Sequence, residues 1–248
     1  MSITHAQILA VVLIFILAGL VKGVTGMGLP TVAMGLLGLL MAPAEAATAL
    51  VIPSLVTNVW QYLSGPHRVL VLRRMWPMLL TISLATWAGA GLIAGDNAAR
   101  ATMWLGAALI LYAASGLVKL RIAVPRAYER WLSPTIGAAT GLVTGATGVF
   151  VIPAVPYLQA LGFEKDDLVQ VLGLSFTVST IALAAGLFSL GAFHLGAAGA
   201  STLCTLPALA GMGLGQMVRK AVNPATFRLL FLTGLLLLGG DLAARSLL

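Results

Sequence analysis

Gly19-Leu20-Val21-Lys22-Gly23-Val24-Thr25-Gly26 and Gly141-Leu142-Val143-Thr144-Gly145-Ala146-Thr147-Gly148 agree at six of eight positions, 122 residues apart. At the same offset Ala88-Gly89-Ala90-Gly91-Leu92 matches Ala210-Gly211-Met212-Gly213-Leu214, so the likeness extends well beyond one motif. A repeat of this length reads as one unit written twice. The predicted halves are residues 1–125 and 126–248. The candidate linker at their joint is Lys119–Arg130, with Lys119, Arg121, Arg126, Arg130 and Pro125.

Around these motifs the chain is almost continuously apolar. Stretches run over Ala6–Val21, Leu29–Ala42, Ala46–Leu63, Met75–Gly95 and Ala101–Leu120, then over Leu132–Gly145, Val149–Gly162, Leu168–Leu190, Leu195–Val218 and Ala225–Leu238. Of 248 residues 60% are hydrophobic and 8% charged, against roughly 25% charged in a soluble domain, and the mean hydropathy is +1.03. Such a chain belongs in a bilayer. Alternation of barrel type is absent, which leaves helices as the spanning elements. The expected fold is an all-α polytopic membrane protein with two repeats of about five segments each. The first segment reads as a structural span rather than a secretory signal, because no Lys or Arg precedes it.

An odd number of segments per repeat inverts the second copy relative to the first. With the chain start outside, eleven basic residues fall on one side: Arg68, Arg73, Arg74, Lys119, Arg121, Arg126, Arg130, Lys165, Arg219, Lys220 and Arg228. Only Arg100 and Arg245 fall opposite, with Lys22 undecided. The positive-inside bias assigns the basic side to the cytoplasm and both termini to the exterior of a cell inner (plasma) membrane. The net charge of +7 then reflects topology rather than nucleic-acid binding, for which the basic residues are too dispersed.

Gly23-Val24-Thr25-Gly26-Met27-Gly28-Leu29-Pro30 and its echo Gly145-Ala146-Thr147-Gly148-Val149, ending at Pro153, combine glycines and proline in a way that breaks helices. Gly19 to Gly23 and Gly141 to Gly145 are also G-x-x-x-G, the spacing of close helix packing. Breaks at equivalent places in both halves point to broken or re-entrant helices around a binding site near the midplane. There, main-chain N–H groups and the hydroxyls of Thr25 and Thr147 are candidate donors to an anion. Lys22 stands beside the first break, with Thr144 as its counterpart. It is either an intramembrane cation of functional type or a side chain snorkelling to the surface. Further polar candidates are Thr57, Asn58 and Gln61 in the third segment and Ser175, Thr177, Ser179 and Thr180 in the eighth. The predicted substrate-binding set is Lys22, Gly23, Thr25, Gly26, Met27, Gly28, Asn58, Gly145, Thr147, Gly148, Val149 and Thr180.

Every carboxylate lies in or beside a predicted loop, so no intramembrane proton relay is apparent. His5, His67 and His194 sit near segment ends, and Cys204 is alone. No catalytic constellation, metal site or cofactor motif emerges, and no enzyme activity is expected. The expected partners are a small anion and membrane lipid, with no nucleic acid; self-association stays open.

Gly19–Pro30, the stretch from Pro43-Ala44-Glu45-Ala46-Ala47 to Pro53, and Gly141-x-x-x-Gly145-x-x-Gly148 leading to Tyr157-Leu158 resemble the sulfite exporter TauE/SafE family of membrane transporters. The resemblance covers nearly the whole chain. It implies a small duplicated secondary transporter that moves sulfite or a related sulfur-containing or organic anion. This sequence has Met27 and Val149 where glycines are often found. A passive anion channel, or a membrane enzyme or assembly subunit, is the alternative.

Overall fold

In a computed structural model the chain is helical throughout; the residues described are 5–95, 98–118, 123–193, 195–219 and 221–246. Asp96, Lys119, Arg121, His194 and Lys220 therefore lie outside the described residues. The helices in chain order are α1 (His5–Thr25), α2 (Leu29–Leu37), α3 (Pro43–Leu63), α4 (Arg68–Ala94) and α5 (Ala98–Leu117). They are followed by α6 (Arg126–Thr147), α7 (Ala154–Ala160), α8 (Lys165–Ser189), α9 (Leu195–Val218) and α10 (Pro224–Arg245). No strand occurs among the described residues.

Local chemistry sets the helix boundaries. Pro43 opens α3 where its missing N–H costs nothing, with Glu45 in the first turn. Asp166 and Asp167 occupy the first turn of α8, at the positive end of its dipole. Asn223 caps α10, its side chain accepting from the N–H groups of Ala225 at 2.9 Å and Thr226 at 3.4 Å.

Among the described residues six helices, α1, α4, α5, α8, α9 and α10, are long and apolar enough to cross a membrane. The chain is a multi-pass membrane protein. α3 and α6 match them in length at 21 and 22 residues but carry more polar side chains. Two of the predicted segments are not spans. Leu29–Ala42 forms the nine-residue α2 and Val149–Gly162 the seven-residue α7. At about 1.5 Å per residue neither reaches halfway across a hydrocarbon core of about 30 Å. The linker is also shorter than predicted, since α6 begins at Arg126.

Packing follows the glycines. On α1, a Cβ at Gly19 or Gly23 would collide with the main chain of α9 at Ala208, Met212 and Gln216. Gly211 and Gly215 of α9 meet Ile16 and Leu20 of α1 in return. Gly137, Gly141 and Gly145 of α6 press in the same way on Met78, Ile82, Thr86 and Gly89 of α4. In both pairs residue numbers rise together, so the helices run parallel. α3 and α8 are antiparallel, with Gly173 against Asn58 and Tyr62. α8 is the central helix, 72% buried over its most apolar window, whereas α9 is 17% buried. All five tryptophans (Trp60, Trp76, Trp87, Trp104 and Trp131) are exposed, with Leu203 and Met217, on the surface that lipid covers.

Candidate functional site

Both helix breaks are built by one device. α1 stops at Gly26, whose φ of +80° a side chain would disfavour, and α6 stops at Gly148 with φ of +69°. Gly26 N–H donates to the Lys22 carbonyl at 2.7 Å, and Gly148 N–H to the Thr144 carbonyl at 2.7 Å. The preceding threonine completes each end. The Thr25 hydroxyl donates to the carbonyl of Val21 at 2.9 Å or Met27 at 2.6 Å and accepts the Met27 N–H at 3.2 Å. The Thr147 hydroxyl donates to the Val143 carbonyl at 2.6 Å and accepts the Val149 N–H at 3.2 Å. The two breaks then diverge. Gly28 adds a second left-handed residue at φ +98° before Pro30, whereas the second half runs through Val149 and Phe150 to a cis Ile152-Pro153 bond.

These contacts show what the expected site residues touch. The Thr25 and Thr147 hydroxyls each donate to the main chain, which closes the helix end. Gly23 and Gly145 lie one turn earlier, inside helices, where they admit α9 and α4; the packing alternative applies to them. Thr180, the counterpart of Asn58, donates to the Phe176 carbonyl of its own helix at 2.7 Å. Val149 is buried in the apolar core, and Met27 packs against that core with its sulfur 3.7 Å from the Tyr112 hydroxyl. Gly26 and Gly148 face different elements, Val169 of α8 and Met34 of α2.

Lys22 and Asn58 do come together. Lys22 is 3% exposed, so it does not snorkel, and its Nζ donates to Oδ1 of Asn58 on α3. A lysine only donates, so the carboxamide oxygen must face it and the Asn58 Nδ2 points elsewhere. That Nδ2 is buried with no hydrogen-bond partner. Among the described residues no carboxylate pairs with Lys22; Glu129 pairs with Arg74, Asp241 with Arg245, and Asp167 meets the His67 ring. An ammonium and an amide donor therefore adjoin each other in the buried interior. The second half has no equivalent, because Thr144 returns its hydroxyl to the Thr140 carbonyl at 2.8 Å.

Two glutamines complete the surroundings. Gln61, one turn beyond Asn58, donates to the carbonyls of Gly26 at 2.9 Å and Val169 at 2.7 Å. Gln170, fully buried on α8, donates to the Tyr62 carbonyl at 2.9 Å and accepts the His67 N–H at 3.0 Å. The sequence marks Gln61 only as one polar residue of the third segment, and nothing in the sequence marks Gln170. A local signal did exist: the break at Gly26 places that carbonyl outside either helix ladder, in need of another donor.

A comparison with curated proteins and one with solved structures found no match. A family model described as sulfite exporter TauE/SafE matches residues 11–242 of 248. With a match over nearly its whole length and an all-helical multi-pass fold, the chain belongs to the sulfite exporter TauE/SafE family, a family of membrane transporters for anions of the sulfite type.

Proposed function

We propose that this protein exports sulfite or a related sulfur-containing or organosulfonate anion by alternating access, with Lys22 and Asn58 as its anion-binding centre. One observation carries the reading: a buried ammonium with a neutral partner and no carboxylate, beside an amide donor with no acceptor. Burying an isolated charge costs several kcal/mol in order of magnitude, and an anion supplies what the site lacks. A carboxylate partner would fill the site permanently. A neutral one leaves the ammonium free to take a transient counter-ion.

The halves 1–125 and 126–248 act in this reading as inverted repeats. Their support is the exchange of partners at the repeat offset: α1 packs on α9 as α6 packs on α4, and α3 packs on α8, its own counterpart. Rocking one such arrangement into its mirror is the economical way to expose a site alternately. Gly26, Gly28 and Gly148 serve as the breaks about which α2 and α7 move. The protein sits in the cell inner membrane with both termini outside, on the strength of the positive-inside bias.

The test is flux of sulfite, sulfate, thiosulfate and sulfonates into proteoliposomes holding the purified protein. We expect saturable flux of at least one sulfur oxyanion, lost in Lys22→Met and partly kept in Lys22→Arg. Parental flux in Lys22→Met would remove Lys22 from the centre. Flux that rises linearly with concentration would indicate a channel.

A further inference from the structure

The last turn of α3 and the first turn of α8 enclose a cavity of about 150 Å³ lined by Gln61, Ser64, Gly65, Pro66, Asp166 and Val169. Ser64, Pro66 and Asp166 are exposed, so the cavity communicates with solvent at the helix ends. Among its lining residues Gln61 is the one with a side chain tied to two main-chain carbonyls. Both amide protons of that side chain are engaged, at 2.9 Å with the Gly26 carbonyl and at 2.7 Å with the Val169 carbonyl. One side chain of α3 thus ties the break after α1 to the start of α8. Directly behind this tie stands the buried cation: Gly26 N–H bonds the Lys22 carbonyl, and Asn58, three residues before Gln61, takes the Lys22 ammonium.

The tie is chemically suited to be broken. The Gly26 carbonyl depends on it because Gly26 lies in the left-handed turn between α1 and α2, outside either helix ladder, and the Val169 carbonyl lies within a helix whose own ladder continues without it. A carboxamide that leaves two carbonyls keeps two donors, which an anion can accept and a cation cannot. The device exists at one end only. At the repeat offset Gln61 becomes Leu183 and Gln170 becomes Thr48, and there Gly148 faces the Met34 thioether instead. Around the rim, Gln170 and the His67–Asp167 pair at 2.7 Å hold the turn between α3 and α4 onto α8.

We propose that this cavity is the cytoplasmic mouth of the path to Lys22 and that the Gln61 carboxamide is the latch closing it. The proposal rests on the transport reading above, and it adds the entrance and the residue that guards it. The latch is tested without any transport. In a Cys204→Ala background, Ser54→Cys places a thiol at a fully buried position one turn before Asn58, on the side away from Gln61. Inside-out vesicles are treated with a sulfonate-bearing methanethiosulfonate, itself a small anion. With Gln61 present, labelling is slow. Gln61→Met keeps the length and packing of the side chain but removes both donors, and Gln61→Ala removes the side chain as well. We expect both to label about tenfold faster. Unchanged labelling in a folded Gln61→Met protein, or acceleration only from the opposite membrane face, overturns the proposal. Faster labelling in vesicles that move no sulfur oxyanion overturns the transport reading and leaves the latch standing.

Discussion

Lys22 and Asn58 show how the surroundings of a residue decide its work. Each side chain compensates the other's burial, so their energetics are coupled. Asn58→Leu strands the ammonium and is expected to lower stability by about 2 kcal/mol, in the range of a lost hydrogen bond to a charged group. Lys22→Met removes the charge itself and should melt at or above the parental temperature. The double variant Lys22→Met/Asn58→Leu should be more stable than Asn58→Leu alone. Thermal melts in detergent measure all three, and additive losses would show that the two residues do not act as a pair. At the same scale, Thr25→Val and Thr147→Val should each cost about 1 kcal/mol, because each deletes the hydroxyl that closes a helix break.

Among the elements, glycines of one motif divide into two kinds. Gly23 and Gly145 are helical and touch neighbouring main chains, so Gly23→Leu and Gly145→Leu must push α9 or α4 away. Overpacking of this kind costs about 1–3 kcal/mol or more, and we expect loss of folded protein on size-exclusion chromatography. Gly26 is different. A Cβ there would meet only Val169 at 3.6 Å, and the cost comes from the backbone at φ +80°. Gly26→Ala should therefore fold, at a penalty of about 1–2 kcal/mol, and lose transport through a stiffened break. Normal flux in folded Gly26→Ala would separate that break from transport. The Arg74 guanidinium, bidentate to Glu129 at 2.7 and 2.9 Å and 4.3 Å from the Phe163 ring, joins α4, α6 and the approach to α8. It has no ionic counterpart at the repeat offset, where Gly196 and Gln7 stand.

At the scale of the whole molecule, orientation and driving force follow from charge. Cysteines at Arg126 and Ser246, in the Cys204→Ala background, should label from opposite sides of the membrane, the first from the cytoplasm. Labelling of both from one side would refute a second half that begins and ends on opposite faces of the membrane. Among the described residues no carboxylate pairs with Lys22, so the simplest carrier lets its anion leave down the membrane potential. One negative charge moved outward releases about 2.3 kcal/mol per 100 mV, a gradient of about fortyfold. Vesicles with an imposed potassium diffusion potential should show flux that changes with its sign and size at constant pH. Flux indifferent to potential but driven by a pH gradient would overturn the electrogenic mechanism.

Composition and pattern alone determine that this chain is a bundle of membrane helices. With 8% charge there is no soluble alternative, and lipid leaves unpaired backbone no option but the helix. The breaks at Gly26 and Gly148 are equally legible, because glycine and proline act on their own backbone. What each polar side chain does was not legible. Thr25 and Thr147 look like ligand donors until their hydroxyls are seen closing a helix end, and Gly23 looks like part of the break until α9 is seen against it. Lys22 could have reached water or stayed inside, and only the position of Asn58, 36 residues away, decides. Gln61 acquires its role from Val169, 108 residues further along the chain. Backbone conformation is a local property that sequence encodes within a few residues. Partnership between buried polar groups depends on which helices lie side by side, and in this protein the tertiary structure decides that.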